Sequence, residues 1–433
     1  ARGNSTTNTW AAISQAGANN TNPHPDSRDM VFAGNDILQS DDGGIYRLVN
    51  PRGLAGTATV WTSVLGDLRN SELLAVALDN RNNTNPADDV ILAGVMDNGS
   101  VERSATGQWA EAKRGDGLIV QADDANTPSV HYFTSQFFGF ANRVGTDPVT
   151  FPSAEVLKTN RNGSRIRLNQ QFDSFAFKAP YQLNATDPSR ILVASLRNLY
   201  ESSDQGETFL SLGGVIGVDR PGRVFPDGTG FIVSMANGSA GNPEVAYVGT
   251  DNSFTTGTGE IFLRTQPPPS FEIDGTPVPA PFVRTRFSNV AHDVPLDIVI
   301  DPDNPLVAYA ITKNAVFMTV NGMDWTPLTD DLNQLALPGS GINLRTVELF
   351  TKLNHADVLL VGGLGGVFKR RVDAGAGPKW SEYGAGLPNV LVTDMEYDEK
   401  SDTLLAGTLG RGAWTVPVGS SAGLESIVRV DGT

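Results

Sequence analysis

The stretch Leu296-Asp297-Ile298-Val299-Ile300, Asp301-Pro302-Asp303-Asn304-Pro305, Val307-Ala308-Tyr309-Ala310, Ala315-Val316-Phe317-Met318 and Trp325 decides how the rest of the chain is read. It sets out one complete unit: an apolar strand, an Asp-Pro turn, a second apolar run ending in a small residue, a third strand after Asn314, and a fourth opened by tryptophan. Short apolar runs bounded by Asp, Asn, Pro and Gly read as strands joined by tight turns. Stretches with helical periodicity and caps are nearly absent from the chain.

The second run of this unit recurs eight times along the chain. The copies are Val31–Gly34, Val90–Gly94, Val130–Ser135, Ile191–Ser195, Ala246–Thr250, Val307–Ala310, Val358–Gly362 and Thr403–Gly407, about 53 residues apart on average. An Asp-Pro turn precedes it again at Asp187-Pro188, and further fourth strands open with Trp61, Trp109 and Trp380. One such unit cannot bury its own face, so neighbours must stack, and a ring leaves only short protected edges. The expected fold is therefore all-β, a single eight-bladed β-propeller over residues 10–417. Seven blades is the alternative if residues 116–178 form no regular blade.

The ends fit a ring. The C-terminal unit offers three strands, Val390–Tyr397, Thr403–Gly407 and Gly412–Val416, and the spare Trp10-Ala11-Ala12-Ile13-Ser14 reads as the missing fourth. The N-terminal strand is thus expected to close the last blade. Residues 1–9 read as an arm, and residues 418–433 as a linker or the start of a further segment of a longer chain. A signal peptide is expected to be absent or already removed, since the N-terminus has no basic and apolar regions.

Composition narrows the function. The 433 residues carry 46 glycines, 26 prolines, no cysteine and a formal charge of −16. That charge opposes binding to nucleic acid or an anionic membrane, which needs a basic face. No apolar run approaches the ~20 residues of a membrane span. Absence of cysteine excludes disulfides, thiol catalysis and Cys-ligated zinc. Aspartates (34) outnumber glutamates (14), a bias that suits turns and oxygen-ligated calcium. The pairs Asp41-Asp42, Asp88-Asp89, Asp123-Asp124 and Asp330-Asp331, with Asp301-Pro302-Asp303, are candidate Ca²⁺ ligands or solvated turns; no 12-residue calcium loop is present. The histidines His24, His131, His292 and His355 are scattered, so a histidine-rich metal site is not expected.

Ser202-Ser203-Asp204-Gln205-Gly206-Glu207-Thr208-Phe209 resembles the Asp-box of sialidase-type repeats. Degenerate copies lie at Ser40-Asp41-Asp42-Gly43-Gly44 and Thr319-Val320-Asn321-Gly322-Met323-Asp324-Trp325. Gly407-Thr408-Leu409-Gly410-Arg411-Gly412-Ala413-Trp414 is similar to the last blade of xyloglucanase- and sortilin-like propellers. So is the pair Met96-Asp97-Asn98-Gly99 and Gly115-Asp116-Gly117. The resemblance covers residues ~10–417 and implies a propeller whose Asp-boxes are hairpin turns on the outer edge, with Asp204 structural. Its members include glycosidases, lyases, receptors and assembly factors. Sialidase chemistry is not implied, because Arg28, Arg197 and Arg411 stand outside triad contexts. The xyloglucanase family uses two tandem propellers, and one is expected here.

Propeller ligands bind where loops converge at one end of the axis. The loops after the apolar runs, and those leading into each blade, supply Asn98, Gln136, Arg197, Asp251, His292 and Arg411 as candidate ligand-binding residues. Such amides, carboxylates and arginines suit a polyhydroxylated or anionic sugar. Two carboxylates flanking a cleft fit glycoside hydrolysis, and Asp97 with Asp116 is the candidate catalytic pair; bonding turn amides is the alternative role for both. The expectation is a secreted or cell-surface bacterial protein that binds, and as an enzyme hydrolyses, polysaccharide. The alternative is a non-catalytic scaffold or adhesion module joined to further domains of the same secreted chain.

Overall fold

The computed structural model describes residues 2–64, 71–80, 89–104, 106–125, 129–138, 141–144, 157–159, 165–167, 175–196, 198–206, 209–214, 231–252, 258–267, 282–351, 357–372, 377, 379–384, 386–417 and 428–430. Antiparallel β-sheet dominates these residues, and their helices are single 3₁₀ turns. No helix among them is long and apolar enough to cross a membrane. The chain forms two compact units. One is built on residues 1–72 with Gly410–Gly412, the other on residues 73–409 and 413–431.

Among the described residues of the larger unit, six four-stranded sheets and one three-stranded sheet follow one another, each in simple sequence order, with a two-stranded pair, Leu157–Thr159 and Arg165–Arg167, between the second and the third. The first strands of the seven sheets are Leu73–Asp79, Val120–Asp123, Tyr181–Leu183, Phe231–Ser239, Asp297–Ile300, Thr346–Phe350 and Val392–Asp398. Each first strand packs against the first strand of the next sheet, and Val392–Asp398 packs against Leu73–Asp79. The seven later apolar runs all become second strands, the most buried position of a sheet. Ile191–Ala194 and Ala308–Ile311 are buried along their whole length. The core lies between sheets: Leu192, Val248 and Phe262 join one neighbouring pair, and Tyr247, Ile298, Phe317 and Trp325 the next.

Turn chemistry explains why the strands end where they do. Asp301 Oδ1 accepts the N–H groups of Asp303 and Asn304 at 2.8 and 3.0 Å, closing the turn between first and second strands. Asn184 Oδ1 does the same for Thr186 and Asp187, both at 3.1 Å. In the Ser202–Gly206 turn, Ser202 Oγ bonds Asp204 Oδ1 at 2.9 Å and accepts the Gly206 N–H at 2.9 Å. Gly206 has φ +80, a conformation open to glycine. Asn321 accepts the Met323 and Asp324 N–H groups at 2.9 and 2.8 Å in the equivalent turn. These side chains hold hairpins.

The smaller unit holds the sheet Asp29–Ala33, Asp36–Asp41, Gly44–Val49 and Val60–Ser63. Here the apolar run becomes the first strand, and Met30, Val31 and Phe32 are exposed. The alternating strand Asp36–Asp41 takes the second position and buries Ile37 with Leu48, Trp61 and Ala18.

The N-terminal strand does not close the last sheet. Thr9–Ala11 pairs with Arg2–Asn4 in a local hairpin, whose turn is held by Asn4 Oδ1 accepting the Thr6 and Thr7 N–H groups. Trp10 is 75 % exposed. The following segment bonds its own sheet: Trp61 Nε1 donates to the Ile13 carbonyl at 2.7 Å and Trp61 N to Thr21 Oγ1 at 2.8 Å. The fourth strand of the last sheet is Val428–Val430, paired with Ala413–Thr415. Local closure won over the long-range pairing that the spare tryptophan suggested.

Candidate functional site

A cavity of about 470 Å³ is lined by residues from the first strands of all seven of these sheets. Alternation along a strand sends every second side chain to the same face, and on three of these strands that face carries acids. Asp297, Glu348, Asp394 and Glu396 line the cavity from three consecutive first strands, and Asp124 lies just past the end of Val120–Asp123. Lys178 and Arg345 stand where two first strands begin. Lys178 Nζ donates to the Leu74 carbonyl at 3.5 Å, across the intervening strand Val120–Asp123.

Several of these polar groups also stitch one first strand to the next. Asp297 Oδ2 accepts the Val347 N–H at 2.8 Å and Gln121 Oε1 the Leu183 N–H at 2.9 Å. Ser234 Oγ donates to the Pro295 carbonyl at 2.8 Å. Asp394 Oδ2 accepts the Val76 N–H at 2.8 Å, and Thr393 Oγ1 donates to the Leu73 carbonyl at 2.6 Å. Glu396 accepts no hydrogen bond among the described residues.

Burial of these carboxylates away from bulk water disfavours their charged forms. It lifts Asp394 to about 6, against the help of the Val76 N–H. Burial lifts Asp297 to about 7. Burial and then the charge of Asp297 lift Glu348 to about 8. Glu396 is raised well above the usual carboxylate range by burial, then by Glu348 and Asp394. Asp124 is raised by burial against the pull of Lys400. Asp394, Asp297 and Glu348 are thereby shifted toward neutral pH, a range suited to proton transfer.

Three of the residues singled out in the sequence meet elsewhere in the larger unit. Asp97 N donates to Asp116 Oδ1 at 3.2 Å, and Asp116 N donates to Gln136 Oε1 at 3.0 Å. Gly117 N donates to the Val95 carbonyl at 2.9 Å. The glycines make the approach possible: a Cβ on Gly117 would lie 2.1 Å from the Gly99 carbonyl oxygen. The two Gly-flanked motifs therefore form one knot between a hairpin turn and the start of the next sheet. Asn98, beside it, donates to the Met96 carbonyl at 3.1 Å. Asp251 ends the strand Asn242–Asp251, and His292 is exposed before Asp297–Ile300. Arg411 belongs to the smaller unit and donates to the Gly410 carbonyl at 2.7 Å. Arg197 lies outside the described residues, as do Asp88 and His355.

Of the acidic pairs considered for calcium, several carboxylates are engaged locally. Asp42 pairs with Arg28 at 2.6 Å, Asp330 with Arg370, and Asp331 accepts the Trp380 N–H at 3.0 Å. Asp41 accepts from Gln39 and from the Gly43 N–H.

Sequence reading looked to the loops and did not single out the cavity acids. The available signal was an acidic residue recurring inside the first strand of successive repeats: Asp297, Glu348, Asp394 and Glu396.

No family model and no curated protein matches this sequence. Among solved structures the chain is similar to the crystal structure of an ancestral GH74 enzyme, at a TM-score of 0.55 and 11 % sequence identity over 88 % of this chain. The match spans 54 % of that enzyme, so this chain corresponds to about half its length. At that identity the likeness is one of fold.

Proposed function

We propose that the larger unit is a seven-bladed β-propeller whose axial cavity binds a glycan, and that the protein acts on polysaccharide at or outside the cell surface. The observation that carries this reading is the cavity itself. First strands of seven successive sheets line it, and carboxylic acids converge on it with the hydroxyls of Ser234 and Thr393. A cavity of this size suits one or two sugar rings, and carboxylates and amides match sugar hydroxyls. The likeness to a GH74 enzyme supports the same class of ligand by analogy of fold. The cysteine-free, acidic, turn-rich chain suits an exported bacterial protein, and further domains of the same secreted chain are natural partners.

If the site is hydrolytic, Glu348 is the proton donor, because its carboxyl holds its proton up to about pH 8. Asp394 is the partner that ionises first, at about 6. On this reading the chemistry lies in the cavity, and Asp97 and Asp116 hold a loop elsewhere in the larger unit. A second reading, a non-catalytic scaffold, is favoured by one fact: Asp297 and Asp394 spend an oxygen each on a neighbouring strand's N–H.

A glycan panel screened by calorimetry and by release of reducing ends separates the readings. Binding that is lost in Glu348→Gln, with turnover, supports the enzyme. Binding without turnover supports the scaffold. No binding to any glycan overturns the proposal.

A further inference from the structure

We propose that the axial cavity takes a ligand carrying primary ammonium groups, an amino sugar or a linear polyamine. The inference rests on reading the cavity as the ligand site and names the chemistry of what fills it. Five carboxyl groups face or flank the space, against two cations, Lys178 and Arg345, both at the end where first strands begin. Lys178 already reaches the Leu74 carbonyl. Glu396 lines the cavity half-buried and accepts no hydrogen bond among the described residues. A carboxylate drawn part-way out of water without a partner costs free energy until it is protonated or paired.

The spacing of the acids argues for an extended cation. No three of the cavity carboxylates bring oxygens within 4.8 Å of one another, so one bare metal ion does not gather three of them as they stand. A chain of ammonium groups a few ångströms apart reaches separate carboxylates without moving the strands that hold them. Each ammonium brings three N–H donors and no acceptor, which suits a wall of Asp297, Glu348, Asp394 and Glu396. Loss of one charge-assisted hydrogen bond of this kind lowers affinity roughly tenfold or more.

The test is calorimetry on the full chain at about pH 7 with a glucosamine tetrasaccharide, its N-acetylated counterpart, spermidine and CaCl₂. The wild type, Glu396→Gln and the exposed control Glu399→Gln are compared. The expected result is binding of glucosamine oligomer or spermidine at least tenfold tighter than the acetylated sugar. Glu396→Gln should weaken it tenfold or more, with melting temperature equal or higher, and Glu399→Gln should leave it unchanged. Tighter binding of the glucosamine oligomer assigns an amino sugar; tighter binding of spermidine assigns a polyamine and overturns the glycan reading alone. Equal binding of the acetylated sugar, unchanged in Glu396→Gln, overturns the ammonium inference and leaves the glycan reading standing. Binding of Ca²⁺ alone, or equal loss in both variants, overturns the ammonium inference as well.

Discussion

Asp394 Oδ2 accepts the backbone N–H of Val76 at 2.8 Å, joining two first strands whose residues stand 318 positions apart. Thr393 to Leu73 and Asn80 to Asp398 are two further bonds between the same strands. Removing the acceptor leaves a buried N–H unsatisfied, a cost of about 1–3 kcal/mol. Asp394→Ala should therefore lower stability by that amount in urea unfolding. Asp394→Asn keeps an oxygen in place and removes a charge that burial disfavours, so it should be neutral or stabilising. Equal loss in both variants would assign the effect to the charge.

The cavity acids also set the pH dependence of folding. Asp394, Asp297 and Glu348 have folded-state pKa values raised to about 6, 7 and 8. The folded protein therefore holds protons that the unfolded chain has released. The stability this contributes is complete below the unfolded carboxylate range and is lost as pH rises through about 6 to 8. Thermal melting should give a higher Tm near pH 5 than near pH 8, and Glu348→Gln should flatten that slope. A Tm that rises from pH 5 to pH 8 would count against the buried acids.

Much of the architecture is legible in local sequence, and the reasons are local. Strand length, Asp-Pro turns and tryptophans depend on neighbouring residues, so the run Val307–Ala310 and the turn Asp301–Asn304 fell where the pattern put them. Trp325 and Trp380 are buried. The smaller unit misled the pattern because Val31-Phe32-Ala33 reads as a core strand, while the strand that took that place, Asp36–Asp41, alternates apolar and polar residues. The cavity acids were not legible for a different reason. An acid inside one strand reads as a solvated face, and only the packing of successive first strands turns Glu348 and Asp394 toward the same space.

His131 bridges two sheets. Its Nε2 lies 2.8 Å from Asp79 Oδ2 and its Nδ1 3.2 Å from Glu102 Oε2, all three side chains being largely buried. Burial pushes the imidazole toward neutrality, but the hydrogen bonds to Asp79 and Glu102 outweigh it and raise its pKa. His131→Ala leaves two carboxylates without their cation and should cost about 3–5 kcal/mol at neutral pH. The loss should shrink in acid, where Asp79 and Glu102 take up protons. Denaturant unfolding at two pH values checks both statements.

Arg264 is fully buried and makes a two-point contact with Glu201, at 2.9 and 3.1 Å, while Arg190 joins Glu201 to Glu244. Burial works against the Glu201 charge, yet the two arginines hold its pKa below the usual range. Glu201→Leu strands a buried guanidinium and should destabilise by about 3–5 kcal/mol. The double change Glu201→Leu with Arg264→Met should recover most of that, since a packed apolar pair replaces a packed ion pair. A double change as damaging as the single one would show that the pair does more than neutralise itself.

The Asp97–Asp116 knot separates a structural from a catalytic role. Asp116 acts through its carboxylate, which accepts the Asp97 N–H, whereas Asp97 enters through its main chain, at φ +61. Asp116→Ala should cost about 1–2 kcal/mol by removing that acceptor, and Asp116→Asn should restore most of it. Asp97→Gly should be tolerated or mildly stabilising, because glycine adopts a left-handed backbone without strain. Asp97→Ala should cost about 1 kcal/mol from that conformation. If glycan binding or turnover is found, all four variants should retain it once folded. Loss of activity in Asp116→Asn at unchanged Tm would assign the chemistry to this loop and count against the cavity.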